Sequence, residues 1–252
     1  MGREVLVSRG KQRIFAEVWH PHAHREGASR EPVPIVIMAH GLGGTHQWAH
    51  DFAPAFEDMG YAVLSLDFCG GAVGSRSTGD TTDMSVCTQT DDLEAVLDWV
   101  RDQPEFDARR VVLMGQSQGA AVCTLLADRC PDDIKAMVLC YPAYSIHDDM
   151  CRRYPSADDV PETFSMWMPL GRRYVLDARA CDFFEHMGAF QGQVLIVHGT
   201  DDALVPLSYS ERATGTFAHA RLEVIEGGGH GFVGRARKRV VMLSCAFLAA
   251  SA

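Results

Sequence analysis

The chain has 252 residues, is 47% hydrophobic and carries a formal net charge of −10. That length suits one large domain. The acidic balance argues against nucleic acid and anionic membrane surfaces, which both call for basic patches. No apolar run approaches the ~20 residues of a membrane span. Residues 1–6 lack a signal-peptide layout, so a cytoplasmic protein is expected.

Along the chain, residues 14–19 read as an early strand. His20, His22 and His24 follow in a polar stretch with a proline, which fits an exposed loop between two N-terminal strands better than a metal site. Residues 33–38 form an unbroken apolar run, the pattern of a strand buried on both faces. It leads into Met38-Ala39-His40-Gly41-Leu42-Gly43-Gly44, where the glycines let the Leu42 amide turn inward as an oxyanion donor. His40 is expected to brace this loop, with contact to a substrate as its other open role. Residues 48–59 have a helical pattern and 62–66 a strand pattern. Gly70, Gly71 and Gly74 have neither the Lys-Ser/Thr of a P-loop nor the GxGxxG register. Residues 90–101 place Leu93, Val96, Leu97 and Val100 on one helical stripe.

The apolar run at 111–114 then meets Gly115-Gln116-Ser117-Gln118-Gly119, followed by a small-residue helical run to 128. A strand that turns sharply into a helix through Gly-x-Ser-x-Gly is a nucleophile elbow, which lifts the serine hydroxyl clear of the backbone. Ser117 is thus the candidate nucleophile, and the Gln118 amide the second oxyanion donor. A strand follows at 136–140. Residues 143–191 then break the alternation of strand and helix, which suggests an inserted cap of short helices after the sixth strand. In it Tyr144, Trp167, Met168 and Tyr174 suit a substrate pocket and cap packing equally well. Asp148 and Asp149 fit either a phenolic hydroxyl or a solvated helix start.

A strand at 194–197 runs into His198-Gly199-Thr200-Asp201-Asp202 and delivers two carboxylates to the sheet edge. Asp202 is preferred as the acid partner, with Asp201 bonding the turn. After a helix at 209–217 and a strand at 222–225, a glycine-rich loop presents His230 as the base, and a helix at 235–249 closes the chain. The order of nucleophile, acid and histidine is the one this kind of fold uses. Alternating strands and helices specify a mostly parallel, doubly wound sheet of about eight strands. The eight cysteines show no metal-ligand spacing, and reduced thiols are expected rather than a Cys151–Cys181 disulfide.

Together these segments resemble the α/β-hydrolase superfamily over nearly the whole chain. They are most similar to the bacterial cinnamoyl/feruloyl esterase group: His-Gly-x-x-Gly at 40–44, Gly-x-Ser-x-Gly at 115–119, an HGTxD-like turn at 198–202 and Gly-x-His at 228–230. Residues 67–71 also resemble the loop after the fourth strand in these enzymes. The resemblance implies the α/β-hydrolase fold and a serine carboxylesterase that needs no cofactor or metal. Its substrate would be a small-molecule ester, with hydroxycinnamates as the first expectation. A lysophospholipase or monoacylglycerol-type lipase is the alternative, and a non-catalytic binding module on a hydrolase fold is an alternative of another class. A homodimer is compatible with everything in the sequence.

Overall fold

The computed structural model describes residues 2–21 and 31–251; His22 and His24 of the histidine-rich stretch lie outside them. An eight-stranded sheet has the order β1-β2-β4-β3-β5-β6-β9-β10. Its strands are β1 (Arg3–Arg9), β2 (Gln12–Trp19), β3 (Val33–Ala39), β4 (Ala62–Leu66), β5 (Phe106–Gln116), β6 (Ala136–Cys140), β9 (Gln193–Gly199) and β10 (Ala220–Ile225). Only the β1–β2 and β2–β4 pairings are antiparallel; from β4 to β10 the neighbours run parallel. This is the mostly parallel, doubly wound sheet expected from the alternation. The β4 and β6 strands are buried at every position, and β3 at all but its first. Helices cover both of their faces, which is why these strands read as unbroken apolar runs.

The helices are α1 (Ala53–Asp58), α2 (Val86–Arg101), α3 (Gln118–Arg129), α4 (Ile146–Arg153), α5 (Arg172–Ala180), α6 (Leu207–Thr216) and α7 (Gly234–Ser251). Helix α2 begins at a capping box: the Ser85 hydroxyl accepts the Thr88 amide, and Thr88 returns the bond to the Ser85 amide. Its Leu93, Val96, Leu97 and Val100 stripe is fully buried, worth about 1.5–3 kcal/mol per side chain. The single helix expected at 48–59 is instead a 3-10 turn, His46–Asp51, followed by α1. Pro54 sits in the first turn of α1, where its missing N–H does no harm. It cannot continue a helix from upstream, so the chain breaks at Phe52.

The segment between β6 and β9 is the insertion expected after the sixth strand. It holds α4, α5 and a two-stranded ribbon of β7 (Thr163–Ser165) and β8 (Pro169–Gly171). Its apolar side chains form a cluster of their own that includes Met150, Val160, Phe164, Met168, Leu170 and Val175, with Met84 from the strand side. All eight cysteines are free thiols. Among the described residues no helix is long and apolar enough to cross a membrane.

Candidate active site

Ser117 lies at the junction of β5 and α3 with φ 51° and ψ −121°. A β-carbon rarely tolerates this conformation, and it persists only where the surroundings impose it. They do so here by close approach. A β-carbon on Gly115 would stand 2.5 Å from the Ala120 Cα, and one on Gly119 would run into the Ala39 and His40 carbonyl oxygens. Both glycines are therefore required for strand, helix and oxyanion loop to meet. The Ser117 amide donates to the Cys140 carbonyl at 2.9 Å, so the elbow is also tied to β6.

The three sidechains expected to act together are together. His230 Nε2 is 2.9 Å from Ser117 Oγ, and His230 Nδ1 is 2.8 Å from Asp202 Oδ2. The other Asp202 oxygen accepts the Leu204 and Val205 amides, each at 2.9 Å. Asp201 is exposed and accepts the Thr200 hydroxyl at 2.9 Å, which is the turn-bonding role given to it. Burial alone would raise the Asp202 carboxyl. Hydrogen bonds from His198, His230 and the two backbone amides override it and hold the group well below the ordinary carboxylate range.

His198, which the sequence marks only as part of the turn motif, is fully buried behind Asp202. Its Nε2 is 3.0 Å from the Val205 carbonyl and 3.2 Å from Asp202 Oδ2, and its Nδ1 is 2.6 Å from the Ser210 hydroxyl. A hydrogen on Nε2, shared between the two oxygens, satisfies all three contacts and leaves Nδ1 to accept from Ser210. A histidine preceding a glycine turn at a strand end was the only signal for it in the sequence.

The loop after β3 passes directly over the serine: a β-carbon on Gly41 would be 3.0 Å from the Ser117 Cβ. The Gly43 amide donates to the Gly71 carbonyl and Gly44 closes back on Gly41, both at 3.0 Å. The Leu42 and Gln118 amides have no acceptor among the described residues, and both residues line the cavity at Ser117. His40 is fully buried away from that cavity. Its Nδ1 donates to the Gly41 carbonyl at 2.7 Å and its Nε2 accepts the Phe68 amide at 3.0 Å. Burial holds its pKa below the ordinary histidine value. With both nitrogens engaged it braces the oxyanion loop against the loop after β4 and has nothing left for a substrate.

A cavity of about 320 Å³ opens onto Ser117, His230 and Gln118. Trp167 and Tyr174 line it, together with Tyr141, Met166, Ser145, Asp149 and Leu204. Tyr144 does not. Its ring packs between Phe183 and Phe184, and its hydroxyl lies 2.8 Å from that of Thr124, so it belongs to the core beneath the insertion. Tyr174 is buried and donates to Gln118 Oε1 at 2.8 Å, while Gln118 Nε2 donates to Gln89 Oε1 at 2.8 Å. Tyr141 was missed by the sequence. It carries a positive φ of 37°, its ring centroid is 4.6 Å from that of His230, and its hydroxyl donates to Gln116 Oε1 at 2.6 Å.

A hydroxyl on a strained turn, an imidazole bonded to it and a carboxylate behind the imidazole can generate a nucleophile at neutral pH. Known proteins resemble the chain over most of its length. The chain is 28% identical over 230 residues to the uncharacterized protein Rv2307c of Mycobacterium tuberculosis, covering 91% of this chain and 72% of that one. It is 25% identical over 234 residues to the monoacylglycerol lipase of Mycolicibacterium smegmatis, covering 80% and 79%. Among solved structures, Est1E from Butyrivibrio proteoclasticus with ferulic acid bound shares the fold, with a TM-score of 0.89 at 21% identity over 98% of each chain. The family described as serine aminopeptidase, S33, matches residues 30–177, and the chain belongs to this family of α/β hydrolases.

Proposed function

We propose that the protein is a serine carboxylesterase working through an acyl-enzyme. The observation that carries this reading is the unbroken relay from Asp202 through His230 to Ser117 at the floor of the cavity. Ser117 Oγ attacks the ester carbonyl as His230 takes its proton; Asp202 holds the imidazole in the right tautomer and stabilises the imidazolium. The free amides of Leu42 and Gln118 receive the developing oxyanion, each donor worth about 3 kcal/mol. His230 then protonates the leaving alcohol. Water, activated by the same histidine, releases the acid.

Within that class, a hydroxycinnamate acyl group is the preferred substrate. The cavity is at the small end of ligand pockets. Trp167, Tyr141 and Met166 offer flat apolar contact, and Ser145 and Asp149 offer polar partners for a ring hydroxyl. Est1E binds ferulic acid on this fold. A monoacylglycerol-type lipase is the second reading, favoured by the M. smegmatis relative and by the exposed apolar rim of Met166, Trp167 and Leu204. Rates on methyl ferulate and on nitrophenyl esters of graded acyl length separate the two. The hydroxycinnamate reading is lost if acyl chains beyond about ten carbons are preferred. The esterase itself is lost if Ser117→Ala hydrolyses esters as fast as the parent, or if a fluorophosphonate fails to label Ser117. In those cases the fold carries a binding module.

A further inference from the structure

We propose that Glu17, His46 and His50 form a binding site for a divalent transition-metal ion, with zinc as the ion that fits. Glu17 lies on β2, and the two histidines stand four residues apart on the 3-10 turn that follows the oxyanion loop. One ligand-type atom from each residue lies within 4.8 Å of the others. His50 Nε2 is 3.2 Å and His46 Nε2 is 3.9 Å from the same oxygen, Glu17 Oε2. Zinc at its usual bond lengths holds tetrahedral ligands roughly 3.3 Å apart. The cluster thus stands near that spacing, with the Glu17–His50 pair already at it. The 3.9 Å separation is too long for a hydrogen bond and leaves room for an ion between the two groups.

The support behind the ligands is what distinguishes this cluster from a surface ion pair. His46 Nδ1 donates to Asp67 Oδ1 at 2.8 Å, which leaves the Nε2 lone pair facing Glu17. Metal-bound histidines are held by a carboxylate in this same manner. Asp67 is fully buried, and it also accepts the His46 amide at 2.6 Å and the Arg76 amide at 2.8 Å. The Ser65 hydroxyl donates to the His46 carbonyl at 2.9 Å. Edge contacts with Phe15 and Trp19, at ring-centroid distances of 4.8 and 5.5 Å, fix the His46 and His50 rings. The other Glu17 oxygen accepts the Gly2 amide at 3.1 Å, so the carboxylate too is oriented. Three protein ligands leave a fourth position open, and the half-exposed His50 provides the way in. None of the three lines the cavity at Ser117. An ion there would pin β2 to the chain just beyond the oxyanion loop, a role apart from ester hydrolysis. Glu17 is far from the histidines in sequence, which is why the spacing of residues alone gave no sign of it.

The test is titration of chelator-treated, tag-free protein with zinc chloride, read by calorimetry and by thermal melts, on the parent, Glu17→Gln, His50→Gln and a His22→Asn/His24→Asn pair. Circular dichroism confirms that each variant folds. The expected result is one zinc per chain, affinity reduced at least tenfold in Glu17→Gln and in His50→Gln, and no change in the His22/His24 variant. Zinc at a hundred times the parent's Kd raises Tm by roughly 5–10 °C in the parent and by no more than about half as much in His50→Gln. No saturable binding by the parent overturns the proposal. So does binding that His50→Gln leaves intact, or binding lost only with His22 and His24.

Discussion

The two halves of the cavity at Ser117 are built by different means. On the sheet side the loops are fastened to one another by backbone. The Ser117 amide bonds Cys140, the Tyr141 amide bonds Val197, Thr200 bonds Ile225, Asp201 bonds Gly228 and Gly43 bonds Gly71. On the insertion side side chains form most of the attachments. Tyr174 reaches Gln118, Ser85 reaches Asp177, and the Thr81 hydroxyl reaches the Pro169 carbonyl. Backbone fastening fixes reacting atoms whatever the neighbouring side chains are. Side-chain fastening lets a pocket wall be exchanged piece by piece. The reaction is therefore written in the first half and the substrate in the second, and mutations should separate them.

The largest effect belongs to Asp202→Asn, which keeps the shape but favours the wrong imidazole tautomer. A fall in kcat of about 10⁴-fold on nitrophenyl acetate is expected, with KM little changed. Loss of less than tenfold would break the assignment of the acid. The same carboxylate has a stability signature. Its pKa is depressed by folding, so its contribution is complete above the ordinary carboxylate range and is lost as pH falls through that range toward the lower folded value. Urea midpoints measured against pH should drop less steeply on the acid side in Asp202→Asn than in the parent.

Next in size is Gly119→Ala. The added methyl runs into the Ala39 and His40 carbonyls, neither of which can move without dragging the oxyanion loop. A cost of about 2–4 kcal/mol in urea unfolding is expected. Gly188→Ala, in the insertion and with open space around its Cβ, should change stability by less than about 0.5 kcal/mol. Equal costs at the two glycines would erase the contrast between the halves.

The same division decides what could be read in the sequence. Val33–Ala39, Ala62–Leu66 and Ala136–Cys140 were legible because burial on both faces leaves unbroken apolar runs. The elbow was legible because only glycine fits at positions 115 and 119. Strand β1 was not picked out: it lies at the sheet edge, with Leu6 exposed and only a three-residue apolar run flanked by Arg3, Glu4 and Arg9. The first half of β5, Phe106-Asp107-Ala108-Arg109-Arg110, is too polar to show as a strand. In the insertion, nothing in an aromatic residue's type says whether it faces cavity or core. Tyr144 went to the core because Phe183 and Phe184 wait there, and Tyr174 to the cavity because Gln118 accepts its hydroxyl. Both partners are distant in sequence, so single-sequence patterns carry no trace of them.

A smaller effect than either is expected at Trp167, which forms part of the exposed wall of the cavity. Trp167→Ala should raise KM for methyl ferulate about tenfold, the scale of losing one apolar contact surface. Hydrolysis of nitrophenyl acetate, too small to reach that wall, should stay within twofold of the parent. A parallel loss on both esters would mean that the insertion takes part in the chemistry itself.

The smallest effect, and the one that probes the seam between the halves, is Tyr174→Phe. The hydroxyl it removes is buried and donates to Gln118 Oε1, on the residue whose amide is the proposed oxyanion donor. Gln118 remains held through its own side-chain amide by Gln89, and its backbone position is set by the turn of β5 into α3. Stability should fall by about 1 kcal/mol, the ordinary net value of one such bond, while kcat on nitrophenyl acetate drops no more than about threefold. If backbone alone positions the oxyanion donors, both numbers stay that small. A fall in kcat of a hundredfold with stability unchanged would show instead that the insertion reaches through Tyr174 to aim the Gln118 amide. The boundary between reaction and substrate would then run through this hydrogen bond and not beside it.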